Sequence, residues 1–268
     1  MREIRDIAYR DGPDADPKKH RLDLYAPEGQ GWPVVVFVHG GGWDSGDKSS
    51  VVHGVALYAD IGLFFAAHDI GTAVINYRLL PKVSWREQIR DVAGAVAWVH
   101  RNVANYGGDP KRLFLAGHSA GAQLATRVAL DPDPLKAEGL SKKIIAGVIA
   151  VSGAGYEVSR ETLSTRGGRW AYFERRFALG DTTGAWAREV SLLRFVDESA
   201  PPFLILYGSA EPKGFHQQSE SLAERLKAAG AGVKRAALPH RDHVQTALDL
   251  SRDETAATQE MIEFLRSR

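Results

Sequence analysis

Gly117-His118-Ser119-Ala120-Gly121 decides how the rest of this chain is read. Before it, Arg112-Leu113-Phe114-Leu115-Ala116 is a short, mostly apolar run that predicts a buried strand. After it, residues 122–130 are rich in helix formers and predict a helix. Strand, sharp turn and helix is the setting in which a Gly-x-Ser-x-Gly pentapeptide holds a serine hydroxyl exposed on a strained turn. The two glycines let strand and helix pass closely without a Cβ clash. The pattern alone is common, so its weight depends on what surrounds it.

Working outward, residues 34–38 (Val-Val-Val-Phe-Val) form a continuous apolar, β-branched run. That suits a central parallel strand buried on both faces. Strands are also expected at 4–9, 20–25, 71–77, 144–151, 203–207 and 233–238. Leu22 and Leu24 alternate with Asp23 and Tyr25, as on a half-buried edge pair. Helices are expected at 51–68, with an interruption near Gly62, and at 85–102, where Ile89, Val92, Val96 and Val99 share one face. Further helices are expected at 217–229 and over 246–268, with loops at 106–112 and 239–244. Alternating strands and helices predict an α/β fold with a mostly parallel, doubly wound sheet in a single domain. Ligands of such sheets bind at the carboxyl ends of the strands.

The chain has 268 residues, 44% hydrophobic and 25% charged, with a formal net charge of +1. So balanced a charge gives no field to recruit nucleic acid or anionic lipid. The absence of cysteine excludes disulfides, thiolate metal sites and a cysteine nucleophile, and fits a cytoplasmic location. Residues 1–6 carry mixed charge and do not read as a signal peptide. No apolar run is long enough to span a membrane. His39, His53 and His68 are too scattered to suggest a metal site, and no cofactor is implied.

A serine hydroxyl needs a base to become nucleophilic, and a histidine base needs a carboxylate to orient it. The tetrahedral intermediate needs N–H donors for its oxyanion. His39-Gly40-Gly41-Gly42-Trp43, at the end of the 34–38 strand, has exposed backbone amides for the last role. No Gly-Lys-Ser/Thr follows, so a phosphate loop is not indicated. His243 follows the last expected strand, with His240 as its competitor. Glu211 follows the 203–207 strand. Its rivals are Asp197 and Glu198, which precede that strand, and Asp242, which abuts His243. Ser119, Glu211, His243 is the order nucleophile, acid, base along the chain.

With these residues in place, the chain resembles the α/β-hydrolase esterases that carry an HGGG oxyanion motif. This group includes the acetyl and feruloyl esterases, the kynurenine-formamidase-like enzymes and the hormone-sensitive-lipase group. Leu22-Asp23-Leu24-Tyr25-Ala26-Pro27, Asn76-Tyr77-Arg78-Leu79, Tyr106-Gly107-Gly108-Asp109-Pro110, Ser191-Leu192 and Pro201-Pro202-Phe203-Leu204-Ile205 carry the resemblance further, over essentially the whole chain. It implies Ser119 as nucleophile, Glu211 as acid and His243 as base. It also implies that Gly41, Gly42 and the amide of Ala120 form the oxyanion hole. Two departures stand out. These families usually have aspartate where Glu211 stands, and Gly-Asp-Ser is typical of the hormone-sensitive-lipase group where this elbow has Gly-His-Ser.

Residues 153–202 are expected to form a small cap, with Tyr156, Trp170, Tyr172, Phe173, Phe177 and Trp186 in it. Trp43, Trp85, Trp170 and His118 are the candidate substrate contacts. Arg166, Arg169, Arg175 and Arg176 read as a solvated face or as contacts for an anionic substrate. The function expected is hydrolysis of small to medium acyl esters, a small-molecule substrate handled by a monomer or homodimer. The alternatives are an arylformamidase-type amidase with the same triad and a non-catalytic ligand receptor.

Overall fold

The computed structural model describes residues 1–160, 169–253 and 255–268. Eight strands build one sheet: β1 (Arg2–Ala8), β2 (Arg21–Ala26), β3 (Trp32–Val38), β4 (Gly71–Ile75), β5 (Gly108–His118), β6 (Ile145–Val151), β7 (Phe203–Gly208) and β8 (Val233–Leu238). Their order across the sheet is β1-β2-β4-β3-β5-β6-β7-β8. The β1/β2 and β2/β4 pairs are antiparallel, and all others are parallel. Around the sheet pack α1 (Leu57–Ala67), α2 (Trp85–Asn102), α3 (Ala120–Leu130), α4 (Pro132–Ala137), α5 (Trp170–Phe177), α6 (Ala185–Val190), α7 (Lys213–Ala228), α8 (His243–Leu248) and α9 (Ala256–Arg266).

The apolar run in β3 is explained by its position. Val34, Val36 and Val38 join one core with Val92 and Val96 of α2 and Leu124 and Val128 of α3. Val35 and Phe37 join the opposite core with Ile61 and Phe65 of α1 and Phe264 of α9. Every residue of β3 is buried. Each large apolar side chain so placed contributes about 1.5–3 kcal/mol, so a polar residue is costly on either face.

Several expectations need correction. β1 and β2 do form the pair at the edge of the sheet, but β2 is buried rather than half-buried, because β4 pairs on its inner side with Leu22 opposite Ile75. The 51–68 helix is two elements. Val51–Val52 and Val55–Ala56 form a small hairpin whose turn places His53 and Gly54 at φ 50° and 80°. Helix α1 follows and runs unbroken through Gly62. A Cβ at Gly62 would sit 2.2 Å from the Tyr25 ring, so this glycine sets how closely helix and sheet approach. β5 begins at Gly108, within the expected 106–112 loop, where it pairs with Trp32. The last helical region breaks into α8 and α9, and α8 starts inside the expected 239–244 loop. The 85–102 helix has the expected bounds, opened by a capping box between Ser84 and Glu87.

The elbow packs tightly. A Cβ at Gly117 would lie 2.5 Å from the backbone carbonyl of Gly121. A Cβ at Gly121 would lie 2.1 Å from the carbonyl oxygen of Val38 and 2.5 Å from that of His39. Both contacts are with backbone, which cannot rotate away. Gly121→Ala is therefore expected to lower stability by about 3 kcal/mol. It should appear as a lower urea midpoint with an unchanged m value. An unshifted midpoint would mean that α3 can slide away from β3 at no cost.

Candidate active site

Ser119 stands between β5 and α3 with φ 57° and ψ −121°. Left-handed backbone is strained for a residue with a Cβ and persists only when its surroundings hold it. Here its N–H donates to the Val151 carbonyl (2.9 Å), and its own carbonyl accepts from the amides of Ala122 (3.1 Å) and Gln123 (3.3 Å). The first turn of α3 lies directly behind the serine, placing the positive end of the helix dipole there.

Three side chains meet at the carboxyl edge of the sheet. The Ser119 hydroxyl donates to Nε2 of His243 at 2.9 Å. Nδ1–H of His243 donates to Oε1 of Glu211 at 2.6 Å. The Gly208 amide donates to Oε2 of Glu211 at 2.9 Å. The Glu211 side chain is fully buried, and the His243 side chain is 30% exposed. The glutamate at 211, where aspartate is usual, has a geometric reason. Gly208 to Glu211 closes a turn, with the Glu211 amide on the Gly208 carbonyl at 3.2 Å. From beyond that turn the longer side chain reaches back to both the imidazole and the Gly208 amide.

The competitors lie elsewhere. Asp242 caps α8 by accepting from the amides of Val244 and Gln245. Asp197 accepts from Lys142 and Ser199. The His240 amide donates to Ser209 Oγ, and the residue is exposed. Glu198 is exposed as well.

The glycine loop lies against the serine. The Gly40 amide donates to the Tyr58 hydroxyl (2.9 Å), and the Gly41 carbonyl accepts from Ser45. Gly41 and Gly42 have φ of 119° and 59°. Among the described residues the amides of Gly41, Gly42 and Ala120 donate to no protein acceptor. They are free to meet a negative oxygen beside Ser119.

A cavity of about 610 Å³ opens over this group. Ser119, His243, Gly41 and Gly42 line it, together with Trp43, Tyr58, Tyr172, Phe173 and Phe215. Trp43 is nearly buried and packs on Phe173 and Phe177, with ring centroids 5.8 and 4.9 Å away. Trp85 and Trp170 are not among its lining residues. Trp85 opens α2 and packs beneath the guanidinium groups of Arg86 and Arg127, while Trp170 packs on Trp186. Tyr156, Phe177 and Trp186 belong to the core. Of the arginines, Arg169 lines the cavity and Arg175 is exposed. Arg176 is bound to Asp44 and to the Gly42 carbonyl. Arg166 lies outside the described residues.

His118 both lines the cavity and braces His243. Its Nε2–H donates to the His243 carbonyl at 3.0 Å, and the two rings lie 4.7 Å apart. Thr246, itself held by Ser152, donates to the same carbonyl at 2.8 Å. Phe215 also packs on the His243 ring, with ring centroids 4.4 Å apart. Phe215, Tyr58, Ser152 and Thr246 are not legible in the sequence as site residues. Nothing in their local pattern marks them, and only the folded sheet edge brings them together.

Burial pulls the imidazole of His118 down to about 3, helped by the neighbouring His243 and opposed by the His243 carbonyl. Burial likewise pulls His39 down to about 4, against the Gly40 carbonyl that its ring binds. Both are lowered from the unfolded value near 6.5, so the unfolded chain binds more protons below that pH. Their contribution to stability is full above about pH 6.5 and is lost as pH falls toward the folded values. Each should add a slope of about 1.4 kcal/mol per pH unit across that window. Urea midpoints from pH 7.5 to 4.5 measure it. His39→Gln and His118→Gln should each flatten the acid limb, and an unaltered limb would show that the imidazoles are not held neutral.

No group of histidine, aspartate and glutamate side chains suited to a metal occurs among the described residues. No helix there is long and apolar enough to cross a membrane.

Comparison with known proteins identifies the family. The family model described as BD-FAE matches residues 22–226. Esterase LipQ of Mycobacterium tuberculosis is 32% identical over 256 residues, covering 89% of this chain and 56% of its own length. The Arabidopsis thaliana isoprenylcysteine alpha-carbonyl methylesterase ICME is 30% identical over 239 residues, covering 85% of this chain and 53% of its own. The chain thus spans about half the length of these relatives. Among solved structures, a truncated carbohydrate esterase from gut microbiota superposes with a TM-score of 0.79 at 22% identity, covering 100% of this chain and 96% of that one. Esterase B from Lactobacillus rhamnosis gives 0.77 at 23% identity, covering 99% and 84%. At such identities the structures speak for the fold, which is that of the α/β-hydrolases. By the extent of the family match, the chain belongs to the BD-FAE family.

Proposed function

We propose that this protein is a serine carboxylic-ester hydrolase acting on small to medium acyl esters through an acyl-enzyme. The observation that carries the reading is the unbroken hydrogen-bonded line from Ser119 through His243 to buried Glu211, on the floor of an apolar cavity. The relatives named above as esterases support the same class.

In this reading Ser119 Oγ attacks the ester carbonyl carbon and passes its proton to His243 Nε2. Glu211 keeps the other ring proton on Nδ1 and stabilises the imidazolium. The carbonyl oxygen becomes an oxyanion, received by the amides of Gly41, Gly42 and Ala120. Collapse breaks the bond to the alcohol oxygen, which takes the proton from Nε2. Water then repeats the sequence on the acyl-enzyme and releases the acid and the serine. The cavity volume falls within the usual range of about 300–1,000 Å³ for small-molecule sites. The 153–202 stretch is read as a cap, and among its described residues Ala154, Arg169, Tyr172 and Phe173 line the cavity.

A panel of para-nitrophenyl esters from acetate to decanoate, beside formyl-kynurenine, tests the proposal. Turnover of the shorter esters with an acyl-enzyme burst is expected. Selective turnover of the formamide would move the reading to an arylformamidase, and no turnover of any member would leave a ligand receptor.

A further inference from the structure

Among the described residues the cavity has one permanently charged lining residue. Arg169 lines it at the amino end of α5, half-buried, and no aspartate or glutamate lines it among the described residues. The other wall residues are neutral or aromatic, apart from the two histidines. Arg169 makes no ion pair among the described residues, whereas nearby Arg176 is tied to Asp44 and stacks on Tyr172 with its guanidinium 3.7 Å from the ring centroid. The Arg169 guanidinium lies 4.9 Å from the Phe215 ring centroid, and Phe215 in turn packs on His243 at 4.4 Å. The cation is thus braced by a ring contact and lies on the side of the cavity where the base is.

That side has a chemical meaning. In ester cleavage the imidazole gives its proton to the departing alcohol oxygen, so groups ranged beyond the His243 ring face the alcohol part of the substrate. A guanidinium presents a planar fork that matches a carboxylate with two parallel hydrogen bonds, and an apolar surround weakens the competition from water. We propose that Arg169 forms a subsite for a carboxylate carried on the alcohol portion of the ester. The natural substrate class is then an acyl ester of a hydroxy acid. This rests on the ester-hydrolase reading of the same cavity.

The test compares para-acetoxybenzoate with its neutral isostere para-acetoxybenzamide at low ionic strength. The kcat/KM ratio of acid to amide should favour the acid and fall about tenfold or more in Arg169→Gln. Arg169→Lys should retain part of the preference, since it keeps the charge and loses the fork. Added salt should shrink the ratio in the wild-type protein. A ratio that Arg169→Gln leaves unaltered overturns the subsite while leaving ester hydrolysis intact. Monophenyl glutarate against phenyl valerate carries the charge on the acyl side instead, and an Arg169-dependent preference confined to that pair overturns the placement. If no ester is turned over, the hydrolase reading fails by itself and the subsite is still read by calorimetry. Para-hydroxybenzoate should bind more tightly than para-hydroxybenzamide and lose that advantage in Arg169→Gln, and equal binding of the two overturns it.

Discussion

Replacing Ser119 with alanine should abolish labelling by a fluorophosphonate probe and lower kcat for a short nitrophenyl ester by about a million-fold. The size follows from what is removed. Without the hydroxyl there is no acyl-enzyme, and His243 loses the atom to which it is aimed at 2.9 Å. Only binding and oxyanion stabilisation remain, and these retain a small residue of the catalysis. Alanine keeps a Cβ, so the strained backbone at φ 57° is neither relieved nor made worse. The thermal midpoint should therefore stay close to that of the wild type, separating lost chemistry from lost fold. Labelling that persists in Ser119→Ala would assign the nucleophile to another residue.

Glu211→Gln should lower kcat by about four orders of magnitude with a much smaller change in fold. The carboxylate accepts two hydrogen bonds, from His243 Nδ1–H and from the Gly208 amide. A glutamine has one acceptor oxygen. With that oxygen on the Gly208 amide, its NH₂ group faces Nδ1 and demands the tautomer protonated on Nε2. That imidazole cannot take a proton from Ser119. Glu211→Asp makes a separate point, because the chain shortened by one methylene cannot span from beyond the turn to both donors. It should lose much of the rate while keeping the charge. A near-wild-type rate in Glu211→Gln would mean that another carboxylate orients the base, yet Asp242 is spent on capping α8 and Asp197 on Lys142.

What was legible in the sequence follows physical lines. The β3 run can be read because burial on both faces leaves no polar position to confuse the pattern. Helix α2 can be read at both ends because Ser84 caps it and its apolar face repeats with helical spacing. The 51–56 hairpin is hidden because two-residue strands carry no measurable period and run straight into α1. The partner of β2 on its inner side is invisible from β2 itself, since residues 71–75 arrive there only through the topology. Ser119, Glu211 and His243 stand out because each follows a strand end in a fixed order. Trp85 and Trp170 show the limit of that approach. A tryptophan announces a large apolar surface but not the direction in which it points, and these two turn to arginines and to Trp186 instead of to the cavity.

The floor of the cavity and one part of its wall come from different kinds of chain. Ser119, Glu211, His243 and the glycine loop hang from strand ends whose positions the whole sheet enforces. Arg169, Tyr172 and Phe173 come from an excursion between β6 and β7 whose described residues contribute no strand. On the proposed ester-hydrolase reading, reactivity and part of the selectivity are written in separable parts of the molecule. The excursion can be exchanged, lengthened or rewritten while both of its anchor points stay fixed. This gives the scaffold a way to acquire new substrates by drift in one segment, with the machinery for bond cleavage left untouched beneath it.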